Sequence, residues 1–92
     1  MYKYKIFETK QYISDLTKDF SGQHLKIRKK IENYVYPQIK QNPHYGLNIK
    51  KLKNYIPETW RYRIGNYRIF YEIDEKEKLI IIITIDSRQD CY

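Results

Sequence analysis

From Trp60 to Tyr71 the chain alternates twice between apolar and polar positions. Trp60, Tyr62 and Ile64 are interleaved with Arg61 and Arg63; after Gly65-Asn66, Tyr67, Ile69 and Tyr71 are interleaved with Arg68 and Phe70. A period of two marks a half-buried strand, whose side chains point alternately to the two faces of a sheet. Gly-Asn between two such runs tolerates positive φ, so the stretch predicts a β-hairpin with a two-residue loop. That loop length sets the register: Ile64 opposite Tyr67, Tyr62 opposite Ile69, Trp60 opposite Tyr71. These side chains share one face and predict part of the core. The other face receives Arg63 directly opposite Arg68, with Arg61 diagonal to Arg68. Like charges opposite each other destabilise a sheet, so stability alone does not select three arginines here.

The rest of the chain supplies a partner layer. Tyr2 to Phe7 alternates, with Tyr2, Tyr4 and Ile6 on one side and Lys3 and Lys5 on the other, and predicts a strand. Thr9 is placed to cap a following helix, in which Tyr12 or Ile13, Leu16 and Phe20 recur at helical spacing. Ser21-Gly22 breaks it. A second helix is expected over about residues 23–41, with Ile27, Ile31, Val35 and Ile39 as its apolar stripe, widened by Tyr34. Lys26, Lys29, Lys30 and Lys40 lie on its opposite face. Pro37 falls inside the pattern and predicts a kink there or a stop before it.

Residues 42–46 read as a loop and 47–55 as irregular, basic chain, with Lys50, Lys51 and Lys53 around Leu52. Residues 74–78 form a charged turn, and the nearly all-isoleucine run from Leu79 to Ile85 suits a central strand buried on both faces. If a five-residue turn pairs Ile73 with Leu79, Thr84 falls opposite Arg68 and Asp86 just beyond it on the cationic face. The order βααβββ predicts an α+β fold in a single domain over residues 1–92: a small, mostly antiparallel sheet with two N-terminal helices packed on one face and the arginine-bearing face left open.

Charge sharpens this picture. The net charge is +7, from 18 Lys and Arg against 11 Asp and Glu, which favours nucleic acid or an acidic protein as partner. The excess is concentrated: residues 47–71 hold six basic residues and one acidic residue, Glu58. Guanidinium groups bind phosphate bidentately, so Arg61, Arg63 and Arg68 form a candidate anion site. The alternative is a solvated basic face screened by Glu58, Glu72 or Asp86. The chain has 11 tyrosines, and a tyrosine beside basic groups can stack on unpaired bases. Lys50, Lys51, Lys53 and Tyr67 are the candidates for RNA contact.

Other chemistries find little support. Cys91 is the one cysteine and His24 and His44 the two histidines, so no disulfide, metal-ligand spacing or nucleophilic triad is legible, and the isolated glycines make no phosphate loop. No cofactor, metal or membrane partner is expected. The longest apolar run, Leu79 to Ile83, is far short of a membrane span, the N-terminus lacks a secretory h-region, and a cytoplasmic protein is expected.

With the element order, the basic Lys51-Leu52-Lys53, the hairpin from Trp60 to Tyr71 and the tail Asp86-Ser87-Arg88-Gln89-Asp90-Cys91-Tyr92 in place, the sequence resembles the RelE/ParE superfamily of bacterial toxins over essentially its whole length. The resemblance implies the toxin of a type II toxin–antitoxin module with a cognate antitoxin protein as partner, and contact with operator DNA only through that antitoxin. RelE-type members cut messenger RNA in the ribosomal A site, which implies ribosome and mRNA as partners; ParE-type members inhibit DNA gyrase. The RelE-type functional positions fall on Arg61, Arg63, Arg68, Arg88 and Tyr92, which the resemblance makes the catalytic set of an endoribonuclease. Arg61 and Arg63 stand where the enterobacterial members carry lysines. Because arginine stays protonated, the general base is left open among Tyr92, Glu58 and Lys53. An inactive RNA-binding relative is the third reading.

Overall fold

The central hairpin has the register that its two-residue loop dictates: Trp60 pairs with Tyr71, Tyr62 with Ile69, Arg63 with Arg68 and Ile64 with Tyr67. Gly65 takes φ +56° while Asn66 is not a positive-φ residue, the signature of a type II′ turn. A computed structural model describes residues 3–19 and 24–87. In chain order they form β1 (Lys5–Glu8), α1 (Lys10–Asp19), α2 (His24–Lys30), a π-helical turn (Ile31–Val35), α3 (Tyr36–Gln41), β2 (Ile49–Lys51), β3 (Trp60–Ile64), β4 (Tyr67–Asp74) and β5 (Leu79–Ser87). Tyr2, Phe20, the Ser21-Gly22 break, Arg88 and Tyr92 lie outside the described residues.

The strands make one sheet in the order β1-β5-β4-β3-β2. All neighbours are antiparallel except β1 and β5, which run parallel. The helical segments cover one face. Tyr12, Leu16, Ile27, Ile31, Val35, Tyr36 and Ile39 pack there against Tyr62, Ile64, Ile69, Tyr71, Ile80, Ile82 and Ile85. Thr9 begins α1 as its spacing predicts: its hydroxyl accepts a hydrogen bond from the Tyr12 amide at 3.1 Å and donates to the Ile82 carbonyl at 2.7 Å, so one residue caps the helix and ties it to β5.

Pro37 neither stops the second helix nor stands at a break. Proline cannot donate to the carbonyl one turn back, and the chain meets this by widening beforehand. The Tyr36 amide bonds the Ile31 carbonyl five residues back, and the following α3 carries proline in its first turn. The wide turn also changes which side chains within it and just after it face the sheet. Tyr34, expected on the apolar stripe, is 61% exposed, and Tyr36 is buried in its place. The Tyr36 hydroxyl donates to Glu8 at 2.6 Å and lies 3.1 Å from the Tyr12 hydroxyl, while Arg28 holds the same Glu8 carboxylate at 2.7 Å. Burial pushes the Tyr12 hydroxyl up to about 12 and raises Tyr36 still further.

Three expectations about the strands are corrected. First, residues 49–51 are not irregular: they form the edge strand β2, a fifth strand held by β3. Second, the β4–β5 turn is one residue shorter than expected. Asp74 pairs with Leu79, and a bulge lies further along, Tyr71 pairing with Ile82 but Phe70 with Thr84. The shorter turn and the extra residue, Ile83, each shift the later pairs by one, so Asp86 rather than Thr84 stands opposite Arg68. Third, β5 is central but buried on one face alone. Ile80, Ile82 and Ile85 are fully buried, whereas Ile81 and Ile83 are half-exposed because no layer among the described residues covers the far side of the sheet.

Candidate functional site

The uncovered face is built rung by rung. Lys50 stands opposite Arg61, Arg61 opposite Phe70, and Phe70 opposite Thr84. The next rung towards the hairpin turn is Arg63, Arg68 and Asp86. Since Ile49, Tyr62, Ile69 and Ile85 face the core, alternation sends Lys50, Arg61, Arg63 and Arg68 to the other side. The Arg63 amide donates outward to the Asn48 carbonyl at 2.9 Å. Arg63 and Arg68 are therefore a non-hydrogen-bonded pair, the kind in which opposite Cα atoms approach to about 4.5 Å and side chains crowd most closely.

The charges are unevenly matched. Asp86 reaches Arg68 Nε at 3.3 Å, and both side chains are partly buried, 24% and 38% exposed. The Arg68 guanidinium also lies 5.6 Å from the centre of the Phe70 ring, so its plane is held between an anion and an aromatic face. Arg63 and Lys50 are exposed and make no ion pair among the described residues. Four cations therefore converge beside Asp86, which answers Arg68 directly. Of the carboxylates considered as screens, Asp86 acts as one; Glu58 pairs instead with Lys51 at 2.9 Å.

The candidates divide. Arg61, Arg63, Arg68 and Lys50 are brought together. Lys51 is not: it stands opposite Trp60, on the alternate side of β2 from Lys50. Lys53 sits in the loop between β2 and β3. Tyr67 shares the helix-covered face and packs, half-exposed, against the core. Arg88 and Tyr92 lie outside the described residues. Sequence reading missed Lys50 as a register-matched member, because the weak alternation of residues 49–51 hides β2. It also missed a recess of about 460 Å³ beside the cations, walled by Tyr55, Ile56 and Pro57 from the loop and floored by Phe70, Ile83 and Thr84, with Glu72 at its side. A separate cleft of about 380 Å³ opens between Lys30, Tyr34 and Gln38 of the helical layer and Tyr62, Arg63 and Gly65 of the hairpin.

A third cluster has no catalytic geometry. Glu75 is gripped by His44 Nε2 at 2.7 Å, the Tyr4 hydroxyl at 2.9 Å and Lys78 at 3.1 Å, and the His44 ring meets Trp60 edge-on at 5.2 Å. The Tyr4 hydrogen bond, then that from Lys78, holds the Glu75 carboxyl below the usual carboxylate range. Among the described residues no three His, Cys, Asp or Glu side chains converge as a metal site, and no helix is long and apolar enough to cross a membrane.

A small mixed sheet with one helix-covered face and one cationic face defines the RelE/ParE class of toxin folds. The chain belongs to the family of ParE toxins of type II toxin–antitoxin systems, whose model matches residues 8–92. It is 35% identical over 43 residues to Toxin RelG of Mycobacterium tuberculosis, a match covering 47% of this chain and 49% of that protein, so the alignment spans about half the length of the curated relative. Its fold is similar to the toxin in a RelB–RelE complex from Methanococcus jannaschii, with 30% identity, TM-score 0.69 and 94% of each chain covered. It is also similar to a RelBE toxin–antitoxin complex from M. tuberculosis, with 23% identity, TM-score 0.74, and 94% of this chain and 99% of that one covered.

Proposed function

We propose that this toxin is a ribosome-dependent endoribonuclease that cuts messenger RNA in the A site. The observation that carries the reading is the cationic face itself: Lys50, Arg61, Arg63 and Arg68 lie on the side of the sheet that no helix among the described residues covers, against a local rule of strand pairing. In the proposed reaction the ribose 2′-hydroxyl attacks the adjacent phosphorus. A 2′,3′-cyclic phosphate forms and the 5′-oxygen leaves with a proton. Arg61, Arg63 and Arg68 bind the non-bridging oxygens and stabilise the charge that grows on them. Arg88 assists the departing oxygen and Tyr92 orients a base. The general base comes from Tyr92, Glu58 or Lys53; Glu58 would first have to release Lys51.

The partners belong to the same reading: the ribosome and its message as target, a cognate antitoxin as inhibitor, and operator DNA only through that antitoxin. The structural neighbours that are toxins bound in toxin–antitoxin complexes support the antitoxin. The test is transcript mapping after induced expression, with Arg68→Ala beside the wild type. Cuts at codon positions with the wild type, and a loss of about a hundredfold or more in cutting with Arg68→Ala while the variant still melts cooperatively, are expected. Unchanged toxicity of Arg68→Ala would sink the assignment. The family name favours a second reading, a gyrase inhibitor without chemistry. It predicts DNA-damage signalling with intact messages.

A further inference from the structure

We propose that the recess beside the arginines is a nucleobase subsite that selects guanine in the RNA strand, an inference that rests on the ribonuclease reading and adds a specificity determinant to it. The recess opens on the cationic face and holds about 460 Å³. Tyr55, Ile56, Pro57, Phe70 and Ile83 give it apolar and aromatic surface, and Thr59, Glu72, Thr84 and Asp86 are its polar groups, of which the Thr59 hydroxyl donates to the Pro57 carbonyl at 3.1 Å. Ile56 is fully exposed and Tyr55 is 55% exposed, so the loop presents apolar surface with nothing packed on it among the described residues.

The recess and the cations are one continuous surface. Phe70 sits on the same rung as Arg61 and beneath the Arg68 guanidinium. The next rung away from the hairpin turn carries Glu72. Two residues along a strand advance about 6.6 Å, so a phosphate on the arginines has the Phe70 recess one rung away. That is the arrangement a single-stranded nucleotide requires, with an anion at one end and a π-face at the other. Charge complementarity fixes the direction, because the phosphate can only lie at the arginine end.

The polar groups at the edge of the slot decide which base enters. The Thr84 hydroxyl is committed to Asp15, and Asp86 is committed to Arg68. Glu72 lines the recess and makes no hydrogen bond or ion pair among the described residues. A free carboxylate accepts hydrogen bonds and donates none. Guanine is the base whose Watson–Crick edge offers two adjacent donors, N1–H and the 2-amino group, to one carboxylate. Adenine and cytosine each offer a single amino donor beside a repelling ring acceptor. Uracil offers one N–H flanked by two carbonyls. The geometry therefore favours guanine, and a well-aligned bidentate contact of this kind discriminates by about tenfold or more.

The test is an NMR titration of the free toxin with four 2′-O-methyl tetranucleotides, identical except for one base, which cannot be cleaved. The wild type is expected to bind the guanine oligomer about tenfold more tightly than the others, with shifts at Phe70 and Tyr55. Glu72→Gln is expected to abolish the preference while keeping the common affinity, and Phe70→Leu to weaken all four. Arg68-dependent binding without base preference, or a preference that survives in Glu72→Gln, overturns the subsite and leaves the ribonuclease reading standing. No arginine-dependent binding to any oligomer overturns both.

Discussion

Asp86 is a carboxylate that answers the cation cluster directly, through Arg68, and its removal separates an anion site from a merely solvated basic face. In Asp86→Asn, Arg68 keeps a neighbour of the same size but loses the charge of its Asp86 ion pair. The pair is partly buried at 3.3 Å, between exposed pairs worth up to about 1 kcal/mol and charged hydrogen bonds worth about 1.5–3 kcal/mol. A loss of about 1 kcal/mol is expected, or a fall in melting temperature of about 4–8 °C for a domain of this size. Anion affinity moves the other way. A phosphate on the far side of the Arg68 guanidinium stands about 7 Å from the Asp86 carboxylate. Their repulsion is about 0.6 kcal/mol at the dielectric constant of water and about 2.4 kcal/mol at the value typical of protein surfaces. Asp86→Asn should therefore bind a labelled 2′-O-methyl RNA roughly three- to sixtyfold more tightly in low salt, by fluorescence anisotropy. The gain should shrink in 1 M salt, where the screening length falls to about 3 Å. A less stable variant that binds RNA no better would show that the arginines are a solvated surface, and would refute the reasoning from the cation excess.

Other perturbations probe the scaffold. Gly65→Ala must hold an L-residue at φ +56°, with open space around the added methyl group; a loss of about 1–2 kcal/mol in chemical denaturation is expected. Tyr36→Phe leaves Glu8 to Arg28 alone and removes a partly buried 2.6 Å hydrogen bond; a loss of about 1–3 kcal/mol is expected, measured by urea melts. Because the folded Glu75 carboxyl lies below its unfolded value, its contribution to stability is present above the unfolded carboxylate value near pH 4.3 and is lost as pH falls through the lower folded one. Glu75→Gln should flatten that acid limb of the stability–pH curve, and an unchanged limb would assign acid sensitivity to other carboxylates.

The elements that sequence reading places correctly are those with strong local signals. The hairpin register comes from loop length, the α1 cap from Thr9, and the stripe Ile27, Ile31, Val35 and Ile39 from helical spacing. Most failures lie where a non-local partner decides. Residues 49–51 become a strand only because β3 offers an edge. Tyr36 rather than Tyr34 is buried because the wide turn Ile31–Val35 breaks the 3.6-residue spacing, a local feature that the apolar stripe does not signal. The bulge at Ile83 is invisible in a run of near-identical isoleucines, since every register of that run looks equally apolar. The site divides the same way: Arg61, Arg63 and Arg68 are legible from one hairpin, whereas Lys50, Asp86 and the Phe70 recess need strands from elsewhere in the chain.

By itself, the order of residues determined which side of the hairpin would be greasy and which would be charged, because a two-residue turn leaves one register and alternation leaves no choice of face. Only the tertiary structure decided which arginine Asp86 meets and what lies beside the cluster. Those neighbours arrive through a bulge in β5, an edge strand and a loop, whose positions are set by packing across the sheet. Local pattern carries information about faces; distances between strands far apart in sequence exist only once the core has closed.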